Sequence, residues 1–232
     1  MRLTTPQTAA PKGDRRTAPA AGGMTVLPTW SWRGPPPEPA PPRPLTPSQP
    51  AEHEPATRSP LGEDQGAAFV RGQLVHRLLQ SLPGMARDQR EAAARRFLAR
   101  PVHGLADTQQ EAILRETLAV LEHPDFAVLF SPDSAAEVPV VGLVNGRALS
   151  GQIDRLVVTD DAVLIVDYKT MRPVPRGEAE IPRAYLDQLA AYEAAVSAVY
   201  PGKPVRCALL WTDGPSLMPV SSERLAAHRQ IA

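Results

Sequence analysis

Cysteine, lysine, surplus positive charge and long apolar runs are all scarce in this chain of 232 residues, and each shortage excludes something. The single cysteine, Cys207, rules out an internal disulfide and an iron–sulfur cluster held by cysteines. It stands in the apolar run from Val205 to Trp211 and reads as a small core residue. There are 3 lysines against 22 arginines, so a lysine at a chemically telling place carries more information than usual. The 25 basic and 25 acidic residues cancel, and residues 61–232 hold 18 against 21, which is not the basic footprint of an autonomous DNA binder. No apolar stretch approaches the ~20 residues of a membrane span, and the start of the chain lacks the apolar core of a secretory signal. The expected location is therefore the cytoplasm, with no membrane partner. No G-x-x-x-x-G-K-[ST] sequence occurs, so the chain has no phosphate-cradling loop for ATP.

Proline, by contrast, is plentiful and uneven. Residues 1–60 hold 15 of the 27 prolines with few apolar residues between them, so they read as an extended or disordered linker. Within it, Trp30 and Trp32 could dock on a neighbour, although an ordinary flexible tail is the simpler reading. From Leu61 onward the composition is globular, long enough for one domain with a substantial core.

The densest chemistry lies in Gly151-Gln152-Ile153-Asp154-Arg155 and Val166-Asp167-Tyr168-Lys169-Thr170, either side of a turn at Asp160-Asp161. Both runs are rich in Val, Ile and Leu and read as a β-hairpin. A two-residue loop at Asp160-Asp161 sets Val158 opposite Val163, Leu156 opposite Ile165 and Asp154 opposite Asp167. Directly opposed side chains are about 4.5–5.5 Å apart at Cβ. Strand alternation then puts Lys169 on the face of both acids with Leu156, Val158, Val163 and Ile165, and puts Ile153, Val157, Leu164 and Val166 on the other. Both faces are apolar, so the hairpin is expected at the centre of a sheet covered on both sides. Two carboxylates and an amine converging at the end of a buried sheet suit a divalent metal and a water; the alternative is an Asp–Lys ion pair at strand ends.

Periodicity predicts helices over residues 66–81, 87–99, 107–122 and 183–199, with Pro83-Gly84 ending the first. Strands are predicted over 137–144, 147–158, 162–170 and 205–212, with Asn145-Gly146 as a hairpin turn. The fold class is α/β (α+β). Arg87, Arg90, Arg95, Arg96 and Arg100 cluster on the second helix and read as a solvated face. His76 lies on the first helix, and Glu137 at the start of the first strand reads either as a further acid near a metal or, equally well, as a solvent-facing strand end. His53, His103, His123 and His228 show no ligand spacing.

The order G-x-I-D, turn, D-Y-K-T, then Gln188-Leu189-Ala190-Ala191-Tyr192 resembles the nuclease domain of the RecB family, within the PD-(D/E)xK superfamily. Upstream, Gly72 through His76 to Leu79 looks like that family's first motif, G-x-x-x-H-x-x-L. Over residues 61–220 the string looks most like the C-terminal nuclease domain of AddA-type helicase–nuclease subunits. The resemblance implies an αβββαβ core with extra front helices and Mg²⁺-dependent DNA cleavage, with Mn²⁺ able to substitute. Asp154, Asp167 and Lys169 would be catalytic. His76, Asp154, Asp167 and the Tyr168 carbonyl would hold the metal. Gln188, Tyr192, Arg172 and Arg183 would contact DNA or order the site. It further implies single-stranded DNA delivered by helicase motor domains or an AddB-like partner subunit, in double-strand-break repair. Without the ATP loop, the chain would be a fragment of a longer helicase–nuclease or a stand-alone relative. A second reading is a non-catalytic DNA-binding or partner-docking remnant of the same fold: the balanced charge and missing motor domains favour it, and the intact Asp154, Asp167 and Lys169 oppose it.

Overall fold

Apolar residues at three- and four-residue spacing make the front of the domain helical. Leu74, Val75, Leu78 and Leu79 form the buried stripe of α1 (Gln65–Ser81), which runs into a 3-10 turn at Leu82–Gly84. Ala94 and Leu98 anchor α2 (Arg87–Leu98), and Ile113, Leu114, Val120 and Leu121 anchor α3 (Asp107–Leu121). The computed structural model describes Gly34, residues 65–144 and residues 146–229, and every element falls in the unit Pro41–Ala232. The proline-rich linker apart from Gly34, the tryptophans at 30 and 32, His53 and Asn145 lie outside the described residues.

The sheet has five strands in the order β1-β2-β3-β4-β5. β1 (Ser134–Val144), β2 (Arg147–Val158) and β3 (Val163–Lys169) form an antiparallel meander. α4 (Arg183–Val199) then crosses over, so β4 (Val205–Trp211) runs parallel to β3, and β5 (Ser216–Val220) returns antiparallel before the short α5 (Ser222–Ala226). This is the expected αβββαβ order with α1–α3 in front. β5 and α5 were not expected: Pro219 removes a ladder donor, tolerable only because β5 is an edge strand. β1 also starts three residues earlier than the pattern suggests, which puts Glu137 inside the strand.

Two apolar layers cover the sheet. One joins α1, α2 and α3 to Val157, Val166, Tyr168, Ala208 and Leu210. The other joins Tyr185, Leu186, Leu189 and Tyr192 of α4 to Ile153, Leu156, Val163, Ile165, Leu209 and Trp211. The central hairpin is thus covered on both sides. Cys207 is buried under α4 with its thiol pushed well above the usual range by desolvation, an inert core residue.

The hairpin register is as expected: Val158 pairs with Val163, Leu156 with Ile165 and Arg155 with Val166. Thr159 N–H closes the Asp160-Asp161 turn on Ala162 O at 3.0 Å. The predicted faces hold along β3 and from Arg155 onward in β2, then reverse. Ile153 packs with the α4 layer, not opposite it, and Gly151 lies directly under Tyr192 of α4. Val157 stays with the α1 layer. The alternation of β2 therefore slips a step at Asp154. The β2–β3 ladder ends at Arg155↔Val166, and the β1–β2 ladder skips the position between Ala136↔Arg155 and Val138↔Ile153. The skipped residue of β1 is Glu137, whose φ of 52° is left-handed, a conformation that bends a strand and that side chains other than glycine seldom adopt.

Candidate active site

The slip in β2 is what builds the site. With alternation broken, Asp154 turns toward α1, and its Oδ1 lies 3.2 Å from Nδ1 of His76. Its Oδ2 accepts the backbone N–H of Tyr168 at 2.6 Å, where a continued ladder would have used the strand itself. Glu137 stands opposite Asp154 across the skipped pair. Donor atoms of His76, Glu137 and Asp154 all lie within 4.8 Å of one another.

That donor set fits a hard divalent ion: two carboxylate oxygens and one imidazole nitrogen suit Mg²⁺ or Mn²⁺. The 3.2 Å His76–Asp154 separation is close to the ~3.0 Å between adjacent ligands of an octahedral ion with bonds of ~2.1 Å. Burial pushes the His76 imidazole down, but the Asp154 carboxylate beside it more than offsets that and carries it above its usual value. Burial pushes Asp154 up, but His76, the Tyr168 N–H and Lys169 hold it below the usual carboxylate range. Glu137 is raised by burial and by the charge of Asp154. A divalent cation would keep both carboxylates ionised, and it would displace the proton that Asp154 favours on His76.

Asp167 is not in that cluster. It stays on the α4 side of β3 with Lys169, whose Nζ is 2.8 Å from Asp167 Oδ2. That oxygen is sealed from water and has the ion pair but no well-aligned hydrogen-bond donor. Burial raises the Asp167 carboxyl, Lys169 pulls it back only in part, and Asp154 adds to the rise. The two acids of the hairpin thus titrate in opposite directions, the signature of neighbouring carboxylates in unlike settings. Lys169 is also held by Gln188 Oε1 at 2.9 Å and lies 4.0 Å from the Tyr185 ring centroid. Desolvation lowers it, and Asp167 more than compensates, so it stays protonated at neutral pH.

Sequence reading expected Asp154, Asp167 and Lys169 on one face. They do converge, but from two faces: Asp154 from the α1 side, Asp167 and Lys169 from the α4 side. The kink at Glu137–Asp154 is the reason. Gln188 reaches the site through Lys169, while Tyr192 does so through the backbone: its hydroxyl donates to Gln152 O at 2.9 Å and receives Gln152 N–H at 3.2 Å. Arg172, expected to meet phosphate, is held by Asp213 at 2.9 Å and by Glu116 at 3.4 Å. Arg183 is two-thirds exposed on α4, 3.6 Å from Asp187. His228, which showed no ligand spacing, pairs with Asp187 at 2.6 Å and ties the end of the described chain to α4.

A residue the sequence reading passed over is Glu116. Its buried carboxylate takes Arg71 of α1 at 2.6 Å and the Thr212 hydroxyl at the end of β4. Arg71 also donates to Thr170 O at 3.1 Å, and Thr212 N–H to Lys169 O at 3.0 Å. The Glu116 hub therefore fixes the strand end that carries Lys169 against α1. Gly72 permits this approach, since a Cβ there would come within 3.1 Å of the Thr170 hydroxyl. The missed signal was Glu116 standing three residues after Ile113, on the buried stripe of α3.

A family model of the PD-(D/E)XK nuclease superfamily matches residues 51–228, and the chain belongs to that superfamily. Membership and the acid–imidazole cluster together point to a metal-dependent nuclease. No curated protein matches the chain. The solved structure of SSO0001 is 16% identical over 72% of this chain and 86% of that one, with a TM-score of 0.29, a likeness too low to carry an argument. Among the described residues, no helix is long and apolar enough to cross a membrane.

Proposed function

We propose that this chain is a Mg²⁺-dependent deoxyribonuclease of the RecB type, cutting single-stranded DNA by phosphodiester hydrolysis. The observation that carries the proposal is the His76–Glu137–Asp154 cluster beside a buried, protonated Lys169. His76, Glu137 and Asp154 would hold the ion, with Asp167 and the Tyr168 carbonyl as the donors expected from β3. A bound divalent ion supplies a water of lowered pKa and offsets charge on the scissile phosphate.

The chain's own groups supply the rest. Lys169, kept charged by Asp167 and aimed by Gln188, is a donor and not a base, so its role is to orient the attacking water or to stabilise negative charge growing on the phosphate. Asp167 fixes that ammonium. Arg183, exposed at the start of α4, would be the arginine that meets the DNA backbone, whereas Arg172 acts by bracing the strand end. The balanced overall charge favours delivery of DNA by an attached or associated motor of the AddA/AddB kind, as opposed to capture from solution. This would place the chain in double-strand-break repair in the cytoplasm.

The test is cleavage of end-labelled single-stranded DNA by the full chain with Mg²⁺, Mn²⁺ or EDTA, beside Asp154→Asn and Lys169→Met. Metal-dependent cutting lost in both variants is the expected result. A parent protein that neither cuts DNA nor binds Mn²⁺ would overturn the proposal. One that binds Mn²⁺ but cuts only when a motor subunit is added would place the missing function in DNA delivery.

A further inference from the structure

Arg155, next to Asp154 in the chain, is only 4% exposed, and among the described residues no carboxylate is in ion-pair contact with it, although its charge is felt by Glu137. Its Nη2 donates to Leu79 O in the last turn of α1 at 2.8 Å, its Nε donates to the Tyr168 hydroxyl at 3.0 Å, and its guanidinium lies 5.1 Å from the Phe130 ring centroid. A buried cation without an anion in contact is expensive, and an apolar side chain of similar volume often serves a fold as well or better. Packing alone therefore does not account for this residue.

Its partners do. Leu79 is three residues beyond His76 on α1, so the bond to its carbonyl fixes the height of that helix against β2. Tyr168 touches both members of the metal-site pair: its N–H bonds Asp154 at 2.6 Å, and its ring meets His76 edge-on with centroids 5.6 Å apart. One planar fork thus ties together the three elements that carry His76, Asp154 and Tyr168. A lysine could not do so, having no planar fork to span two acceptors in fixed directions.

We propose that Arg155 is a positioning residue that sets the spacing of His76 and Asp154, and through it the metal affinity of the site. This rests on the metal-site reading above. The geometry is read without metal by nuclear Overhauser contacts between the His76 and Tyr168 rings, and with metal by Mn²⁺ titration. Second-layer groups behind metal ligands typically contribute about 10–100-fold to affinity. Arg155→Met is expected to weaken Mn²⁺ binding about tenfold and to change the ring contacts. Tyr168→Phe should give a smaller loss in the same direction, and the double variant should be no worse than Arg155→Met, because both act through one linkage. Cleavage by Arg155→Met should recover at saturating Mn²⁺, while Arg155→Lys should not restore the parent affinity. Unchanged ring contacts and Mn²⁺ affinity in Tyr168→Phe, and in Arg155→Met if it folds, would overturn the proposal. A parent that binds no Mn²⁺, while its ring contacts still depend on Arg155, would retain the positioning role and discard the metal reading.

Discussion

Glu137 is a non-glycine residue with φ 52° inside a strand, facing a second carboxylate, and both facts weaken the metal-free fold. Left-handed backbone costs an L-residue about 1–2 kcal/mol relative to the right-handed form. Glycine escapes that cost but gives back about 0.5–1 kcal/mol through the freedom of the unfolded chain. Glu137→Gly and Glu137→Ala both delete the carboxylate, and only the first relieves the backbone. Without metal, Glu137→Gly should therefore be more stable than Glu137→Ala by about 1 kcal/mol in urea unfolding. With Mn²⁺ the parent gains more than either variant. At a hundred times its dissociation constant, Mn²⁺ stabilises the parent by about 2.7 kcal/mol. A tenfold loss of affinity leaves about 1.4 kcal/mol at the same concentration. Metal should thus add roughly 1.3 kcal/mol less to either variant than to the parent. The reasoning fails if Glu137→Ala is as stable as Glu137→Gly, since the strain would then be absent. It fails equally if Mn²⁺ stabilises the variants as much as the parent, since Glu137 would then be no ligand.

Gly151→Ala would put a Cβ 2.8 Å from the Tyr192 ring and hydroxyl, and should cost about 1–3 kcal/mol by urea midpoint as Tyr192 is pushed off Gln152. Glu116→Ala leaves the buried Arg71 without its carboxylate, while Arg172 keeps Asp213, and a loss of about 3–5 kcal/mol is expected in the same assay. For pH, His76 is raised and Asp154 lowered. The His76 contribution to metal-free stability is full below its unfolded value of about 6.5 and fades as pH rises through the raised folded value. That of Asp154 is full above about 3.9 and fades as pH falls through the lowered folded value. The stability gap between parent and His76→Ala should accordingly close as pH rises above neutrality, and Mn²⁺ affinity should fall as pH drops and protons compete for His76. A gap that widens with rising pH would contradict the pairing.

The hairpin was legible because its chemistry is local. The Asp160-Asp161 turn fixes the register, and Val, Ile and Leu on both faces place the hairpin at the centre of the sheet. Helices α1 to α4 were legible for the same reason, each carrying its own apolar stripe. The slip at Asp154 was not, because it is caused from the neighbouring strand: a glutamate at a left-handed position gives no compositional sign, as a glycine would have. Alternation therefore put Ile153 in the wrong layer and gave no sign that Asp154 gathers with His76 and Glu137. Glu116 and Arg155 escaped notice for a related reason, since each draws its meaning from partners dozens of residues away.

Gln188 and Tyr192 are four residues apart on α4, one turn of a helix whose rise is fixed at ~1.5 Å per residue. One grips the ammonium at the end of β3, and the other clasps the backbone of β2 two residues before Asp154. The distance between the nitrogen-bearing and acid-bearing halves of the site is thus gauged against a rigid rod and does not depend on the loop joining the strands. Tension on α4 would move both jaws together and leave the opening between them unchanged.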